Sequence, residues 1–351
     1  MFFCNQPWEQ FHVHIGGGVW FCCMRPSKTQ RVNYNEIEKT DFREIINNDE
    51  VVKLRDSFAK GIVPAFCKGC MMLHDFESFE DFAEKYDLQC YCKVDTEGNV
   101  DYTQLRSLKE SYFELTTHCN FKCAYCLHST LAFSERIDSI SGDVFFAIVD
   151  RMVKELQLEK ISMTGIGEFT LHPQWRQIID KLKDCYPEIE FHMFSNFGRH
   201  LKPEELETLQ KIDRLNVSID TQDADLFKRL RSGDFNTVID NLRRFRQSAS
   251  HEGKRTAVCV AAVVCDKNLL KLEKLVDFLH EENLCDEITL TPMTLLAPVA
   301  NMLDIFPIST KFKTPEESEI VRNVLATLYE KCKQYQIELS WSGDLQNYYR
   351  V

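Results

Sequence analysis

Glu114 to Leu127 reads ELTTHCNFKCAYCL and sets Cys119, Cys123 and Cys126 in a C-x3-C-x2-C spacing. Just upstream, Tyr112-Phe113-Glu114-Leu115-Thr116-Thr117 mixes aromatic and β-branched residues as strands do, so the cysteines are expected on the loop that follows a strand. Three thiolates on one loop can ligate three irons of a 4Fe–4S cube and leave the fourth iron without a protein ligand. That open iron is a coordination site for another molecule. A structural zinc site needs four tetrahedral ligands instead, and His118 or His128 would have to supply the fourth.

The chain has 351 residues, enough for one large domain and a smaller one. With 44% hydrophobic and 27% charged residues it has the composition of a soluble globular protein. The opening MFFCNQPWEQ lacks a basic n-region, and no apolar run is long enough to span a bilayer, so a cytoplasmic protein without a membrane partner is expected. A formal net charge of −12 argues against nucleic-acid binding, which needs cations along the phosphate backbone. Fifteen cysteines in a reducing compartment point to cluster or metal ligation where they are grouped. The isolated Cys185, Cys259, Cys265, Cys285 and Cys332 are expected to serve as packing.

Residues 1–105 differ in texture from the rest. Phe11, Val13 and Ile15 alternate, Gly16-Gly17-Gly18 turns the chain, and Val19-Trp20-Phe21 resumes a strand, which predicts a hairpin. Cys4 precedes it and Cys22-Cys23 closes it. An acidic helix-like stretch (Thr40 to Leu54) leads to Cys67 and Cys70 in PAFCKGC, and a hairpin cysteine plus this C-x2-C pair is a four-thiolate site in the making, for a cluster or for zinc. Cys90-Tyr91-Cys92 reads as part of a linker.

Across 106–310, strands and helices alternate. Strands are expected at Lys160–Thr164, Glu190–Phe194, Leu215–Asp220, Arg255–Val264 and Glu287–Thr291, with helices near 142–156, 173–186, after Pro203, from Asn236 and at 268–282. Repeated βα units with apolar strands mean a parallel sheet covered by helices. The fold class is therefore α/β, a partial (β/α)6 TIM-like barrel with a small N-terminal cysteine-rich iron–sulfur domain. Residues 311–351 should add a helix from Pro315 and a last strand (Ile337 to Trp341), closing the barrel edge or lining the substrate mouth. Active sites of such barrels gather at the C-terminal ends of the strands.

CNFKCAYC, including Tyr125 before the third cysteine, resembles the signature of the radical S-adenosylmethionine (radical SAM) superfamily. The resemblance implies that SAM chelates the open iron. GIGEFTLHP (Gly165 to Pro173) is similar to the family's Gly-Gly-Glu-Pro motif, which implies that Gly167 and Glu168 hold the methionine amino group; Ile166 and Phe169 depart from it. The same likeness implies that Ser195 and Asn196 lie near the SAM ribose and Ser218 near the ribose and carboxylate. It implies that Arg231 pairs that carboxylate, with Arg229 a surface residue. A guanidinium is a fork for a carboxylate. The first seventy residues resemble the SPASM or twitch auxiliary-cluster domains: Cys4, Gly18 and Cys23 match the opening pattern, and Gly17 with Cys22 fits it one residue earlier. This implies one auxiliary 4Fe–4S cluster held by Cys4, Cys23, Cys67 and Cys70, ahead of the barrel rather than behind it.

The implied activity is reductive cleavage of SAM to a 5′-deoxyadenosyl radical that takes hydrogen from a substrate C–H bond. With four protein ligands the auxiliary cluster would accept an electron, making the net reaction oxidative. A flavodoxin- or ferredoxin-type reductant is the expected partner. The substrate is a small molecule or a peptide, as in thioether, cross-link or epimer formation on a ribosomal peptide. A non-catalytic metal-binding or electron-transfer protein is the reading from another class.

Overall fold

The computed structural model describes residues 1–22, 26–68, 70, 72–130, 138–248, 255–294, 303–341, 345 and 348. The chain divides into two compact units: Met1–Leu115 with Ser139–Gly165 and Tyr186–Phe191, and Thr116–Asp138 with Ile166–Cys185 and His192–Val351. Strands of the mostly parallel sheet are numbered in chain order. Among the described residues it is open and does not close into a barrel.

In the first unit, β1 (Gln10–Val13), β2 (Gly18–Trp20) and β3 (Pro26–Arg31) form an antiparallel meander. β1 then pairs in parallel with β4 (Glu110–Phe113), and β4 with β5 (Lys160–Met163). The cysteine-rich segment thus extends the sheet of the repeated βα units, with Val13 opposite Phe113 and Phe113 opposite Met163. The hairpin turns where expected because Gly17 takes φ +76°, and a Cβ there would lie 2.3 Å from the Val32 carbonyl oxygen. The stretch near 40–54 is broken: a short helix (Phe42–Ile46) ends, and α1 (Asp49–Ala59) restarts with Asn48 accepting from the N–H groups of Glu50 and Val51. The Cys90–Cys92 segment is no linker. It enters a hairpin of Cys92–Val94 with Val100–Leu105 and buries Cys92. α2 (Phe79–Lys85) follows a Ser78 cap.

α3 (Gly142–Leu156) begins where read, with the Ser141 hydroxyl accepting from Val144 N–H. Its buried Phe145, Ile148, Val149, Met152 and Leu156 recur every three or four residues, and Phe145 meets Phe113 of β4 edge-on at 5.0 Å.

In the second unit, β6 (Glu190–Ser195, whose first two residues fall in the first unit), β7 (Arg214–Ser218), β8 (Ala257–Val264), β9 (Glu287–Pro292) and β10 (Glu338–Trp341) pair in that order, all parallel. The last strand lies along β9. β8 is apolar throughout, with every residue buried or half-buried, as suits a parallel strand covered on both faces. α4 (Trp175–Cys185), α5 (Pro203–Leu209), α6 (Ala224–Arg231), α7 (Phe235–Gln247), α8 (Leu272–Glu281) and α9 (Pro315–Tyr335) connect or follow these strands. The sequence reading missed α6, a helix of eight residues capped by Asp223. Cys259, Cys265, Cys285 and Cys332 are buried as expected, whereas Cys185 is exposed. No helix of the described residues is long and apolar enough to cross a membrane.

Candidate active site

The cysteine loop lies in the second unit, after β4 has ended at Phe113, four residues sooner than the sequence suggested. Its backbone is held by the end of α6. Ala124 N–H donates to the Leu230 carbonyl (2.8 Å) and Lys122 N–H to the Ser232 hydroxyl (2.6 Å), so the loop takes up a carbonyl that the helix terminus leaves free. Ala124 itself packs with Leu226, Leu230, Cys265, Met293 and Ile305. The ring of Phe121, on the same loop, lies against both Gly198 and Gly233.

The three thiols are partly shielded, and Cys123 feels both Cys119 and Cys126. Burial pushes Cys119 up to about 12, with Glu168 and Cys126 adding and hydrogen bonds from Phe121 N–H and Asn196 opposing. Burial likewise pushes Cys123 to about 12, against the pull of Arg231. Thiols so placed need metal charge to ionise, which is what a cluster iron supplies. Three neighbouring thiols on one loop fit that group. Among the described residues, no three His, Cys, Asp or Glu side chains converge as ligands of a single ion do.

GIGEF meets this loop directly. A Cβ on Gly167 would lie 2.0 Å from the Thr116 carbonyl oxygen, so only glycine fits, and Glu168 N–H donates to the His118 carbonyl at 2.8 Å. The Glu168 carboxylate is 3% exposed and accepts from Thr170 N–H (3.1 Å), Thr170 hydroxyl (2.8 Å), Ser195 hydroxyl (2.9 Å) and Asn196 N–H (2.7 Å). All four donors are neutral. A buried anion with four neutral donors and no cation among these contacts is suited to an ammonium ligand.

Ser195 and Asn196 sit at the end of β6 as expected, and their side chains bond within the chain. Ser195 holds Glu168, while the Asn196 carboxamide reaches Cys119 Sγ at 3.6 Å and Asn120 Oδ1 at 2.8 Å. Ser218 is half-buried at the end of β7. Arg231, the expected partner of the SAM carboxylate, makes a two-bond ion pair with Asp220 (2.9 and 2.7 Å), and both are buried. Burial works against the Arg231 charge, but Asp220, Tyr125 and Cys123 together outweigh it and raise the guanidinium further. Arg229 is the more open of the two and donates to the Leu303 carbonyl. Tyr125 donates its hydroxyl to Asp220 and lies under the Arg231 guanidinium (5.6 Å to the ring centroid). Burial, with Asp220 adjacent, holds that phenol well above its ordinary range, so it stays a donor. Asp220, Phe121 and Asn120 escaped the sequence reading; the signal for Asp220 was its place two residues after Ser218, just past the strand end.

The auxiliary thiols lie in the first unit. Burial raises Cys4 well above the usual thiol range, and Cys22, Cys70 and Cys67 all add to it, so each of the three lies near Cys4. Cys23 falls outside the described residues, and Cys22 is the described hairpin cysteine beside Cys4.

Residues 113–283 match the model of the radical SAM superfamily, and residues 4–71 that of the SPASM iron-sulfur cluster-binding domain. The chain belongs to the radical SAM superfamily and carries its SPASM domain at the N-terminal side. Its cofactors are accordingly a 4Fe–4S cluster, SAM and an auxiliary iron–sulfur cluster. Among curated relatives, a GTP 3′,8-cyclase of Streptomyces coelicolor is 30% identical over 158 residues, 44% of this chain and 44% of that protein. A UPF0026 protein of Helicobacter pylori is 24% identical over 171 residues, 47% and 55% of the two chains. The chain thus spans about half the length of the curated relatives it matches. In fold it is similar to Streptococcus suis SuiB bound to S-adenosylmethionine (TM-score 0.54, 15% identity, 97% of this chain and 73% of that one). SuiB bound to its precursor peptide SuiA gives TM-score 0.53 at 15% identity over 99% and 74%. anSMEcpe with bound AdoMet gives 0.50 at 15% identity over 66% and 63%.

Proposed function

We propose that this chain cleaves SAM reductively and removes hydrogen from a C–H bond of a peptide, in a net oxidation. When bound, the cluster and SAM supply the 5′-deoxyadenosyl radical that takes the hydrogen atom. In this reading Cys119, Cys123 and Cys126 ligate three irons, and Glu168 binds the SAM ammonium. Ser218, on the strand end nearest Asp220, faces the ribose and carboxylate, while Arg231 acts through Asp220 and Tyr125 to hold the loop. Cys4, Cys67, Cys70 and a hairpin cysteine ligate the auxiliary cluster. With that cluster bound, a substrate that has lost a hydrogen atom would have an acceptor for one further electron, its proton passing to solvent, which balances a two-electron oxidation. A flavodoxin- or ferredoxin-type protein would deliver the first electron.

The observation that carries the reading is the joint between Gly167-Glu168 and the cysteine loop, which puts an anion with four neutral donors next to Cys119. The peptide class is supported by SuiB, similar over nearly the whole chain and seen with its precursor peptide. Anaerobic reconstitution followed by dithionite and SAM is the test: 5′-deoxyadenosine should form, and Cys123→Ala should abolish it. A zinc-loaded, iron-free protein would sink the proposal. Co-expression with short peptides encoded beside the gene, read by mass loss of two hydrogens, tests the substrate class.

A further inference from the structure

Asn196 is fixed from every side. Its N–H donates to Glu168 Oε2 (2.7 Å), and its Oδ1 accepts from Gly198 N–H (2.8 Å). That second bond settles which end of the carboxamide is which: the NH2 group must face the cysteine loop. It donates to Asn120 Oδ1 (2.8 Å) and lies within donating distance of Cys119 Sγ (3.6 Å). The turn cannot drift away from the sulfur either. Gly198 is packed so closely on Phe121 that a Cβ would lie 2.0 Å from the ring, and Phe121 belongs to the cysteine loop itself. Donor and sulfur are therefore parts of one rigid assembly, with Asn196 only 8% exposed.

We propose that Asn196 is a positioning residue that sets the reduction potential of the cluster held at Cys119, through an N–H···S hydrogen bond to that ligand. The proposal rests on the radical SAM reading above. Reduction adds a negative charge that is spread over the cluster and its sulfurs. A donor aimed at one of those sulfurs stabilises the reduced state more than the oxidised one and raises the potential. Inside a water-poor site the effect is larger than it would be at the surface. The same residue's backbone holds Glu168, so the sulfur contact and the ammonium site share one support.

The test is an EPR-monitored redox titration of the reconstituted holoenzyme, comparing wild type with Asn196→Leu and Asn196→Asp. Both variants keep the Glu168 contact, which is made by the backbone. Asn196→Asp also keeps an oxygen for Gly198 N–H but turns a carboxylate oxygen toward the sulfur. The potential of the SAM-binding cluster should fall in Asn196→Leu and fall further in Asn196→Asp, while the auxiliary cluster, an internal reference, stays put. SAM cleavage driven by dithionite should slow severalfold and recover with titanium(III) citrate, a stronger reductant. An unmoved potential in a variant that keeps its iron overturns the proposal. So does loss of iron from both variants, because the residue would then be a structural prop. If wild type itself takes up no cluster at these cysteines, the enzyme reading fails rather than this inference alone.

Discussion

Arg231 and Asp220 face each other in a buried two-bond ion pair, Nε to Oδ2 at 2.9 Å and Nη2 to Oδ1 at 2.7 Å, and the Tyr125 hydroxyl donates to the same carboxylate. Asp220 also accepts from Val263 N–H at 2.8 Å, so one carboxylate ties the cysteine loop, the end of α6 and β8 together. Removing one partner strands the other charge. Asp220→Ala should cost about 3–5 kcal/mol in urea unfolding, and Tyr125→Phe only about 1 kcal/mol. An Asp220→Leu, Arg231→Met double variant should recover much of the loss. A double variant as unstable as Asp220→Ala would show that the pair matters for more than charge balance.

Phe121 fills the space in front of two glycines. A methyl group on either Gly198 or Gly233 would lie 2.0 Å from its ring, so Gly198→Ala and Gly233→Ala should each destabilise by about 1–3 kcal/mol and lower cluster occupancy. Phe121→Leu should relieve part of that cost when combined with Gly198→Ala, giving a favourable coupling in a double-mutant cycle. Strictly additive costs would mean that the ring moves aside freely.

Cys22 stands with Cys4, Cys67 and Cys70. Cys22→Ala and Cys67→Ala should therefore each remove one cluster's worth of iron, while 5′-deoxyadenosine formation survives in both. Full iron content in Cys22→Ala would assign the hairpin ligand elsewhere.

His12 lies on β1, its ring stacked on Tyr112 (4.5 Å) and its Nε2 bonded to Gln10 Oε1 (3.0 Å). Burial, and then the neighbouring His14, lowers its pKa to about 4. Between about 6.5 and 4 the unfolded chain therefore binds a proton that the folded chain refuses, so stability falls as pH falls through this window and levels off below it. The whole window is worth up to roughly 3 kcal/mol at 1.36 kcal/mol per unit. Chemical unfolding at pH 7 and pH 4.5 should show His12→Phe losing less stability than wild type by a large part of that amount. Equal losses would place the acid sensitivity in other groups.

The amino-acid sequence determined the βα alternation, the start of α3 at the Ser141 cap and the glycine of Gly167-Glu168, because each rests on residues within one turn or one strand of each other. It also supplied the three loop cysteines, whose spacing is itself a local constraint. Local pattern failed where contact is long-range. Arg231 finds its carboxylate 11 positions away, on the segment leaving β7, and Asn196 finds Cys119 77 positions away. No periodicity encodes such partners. They exist because parallel strands bring their C-terminal ends to one side of the sheet, where side chains from separate βα units meet, and that convergence belongs to the tertiary structure alone.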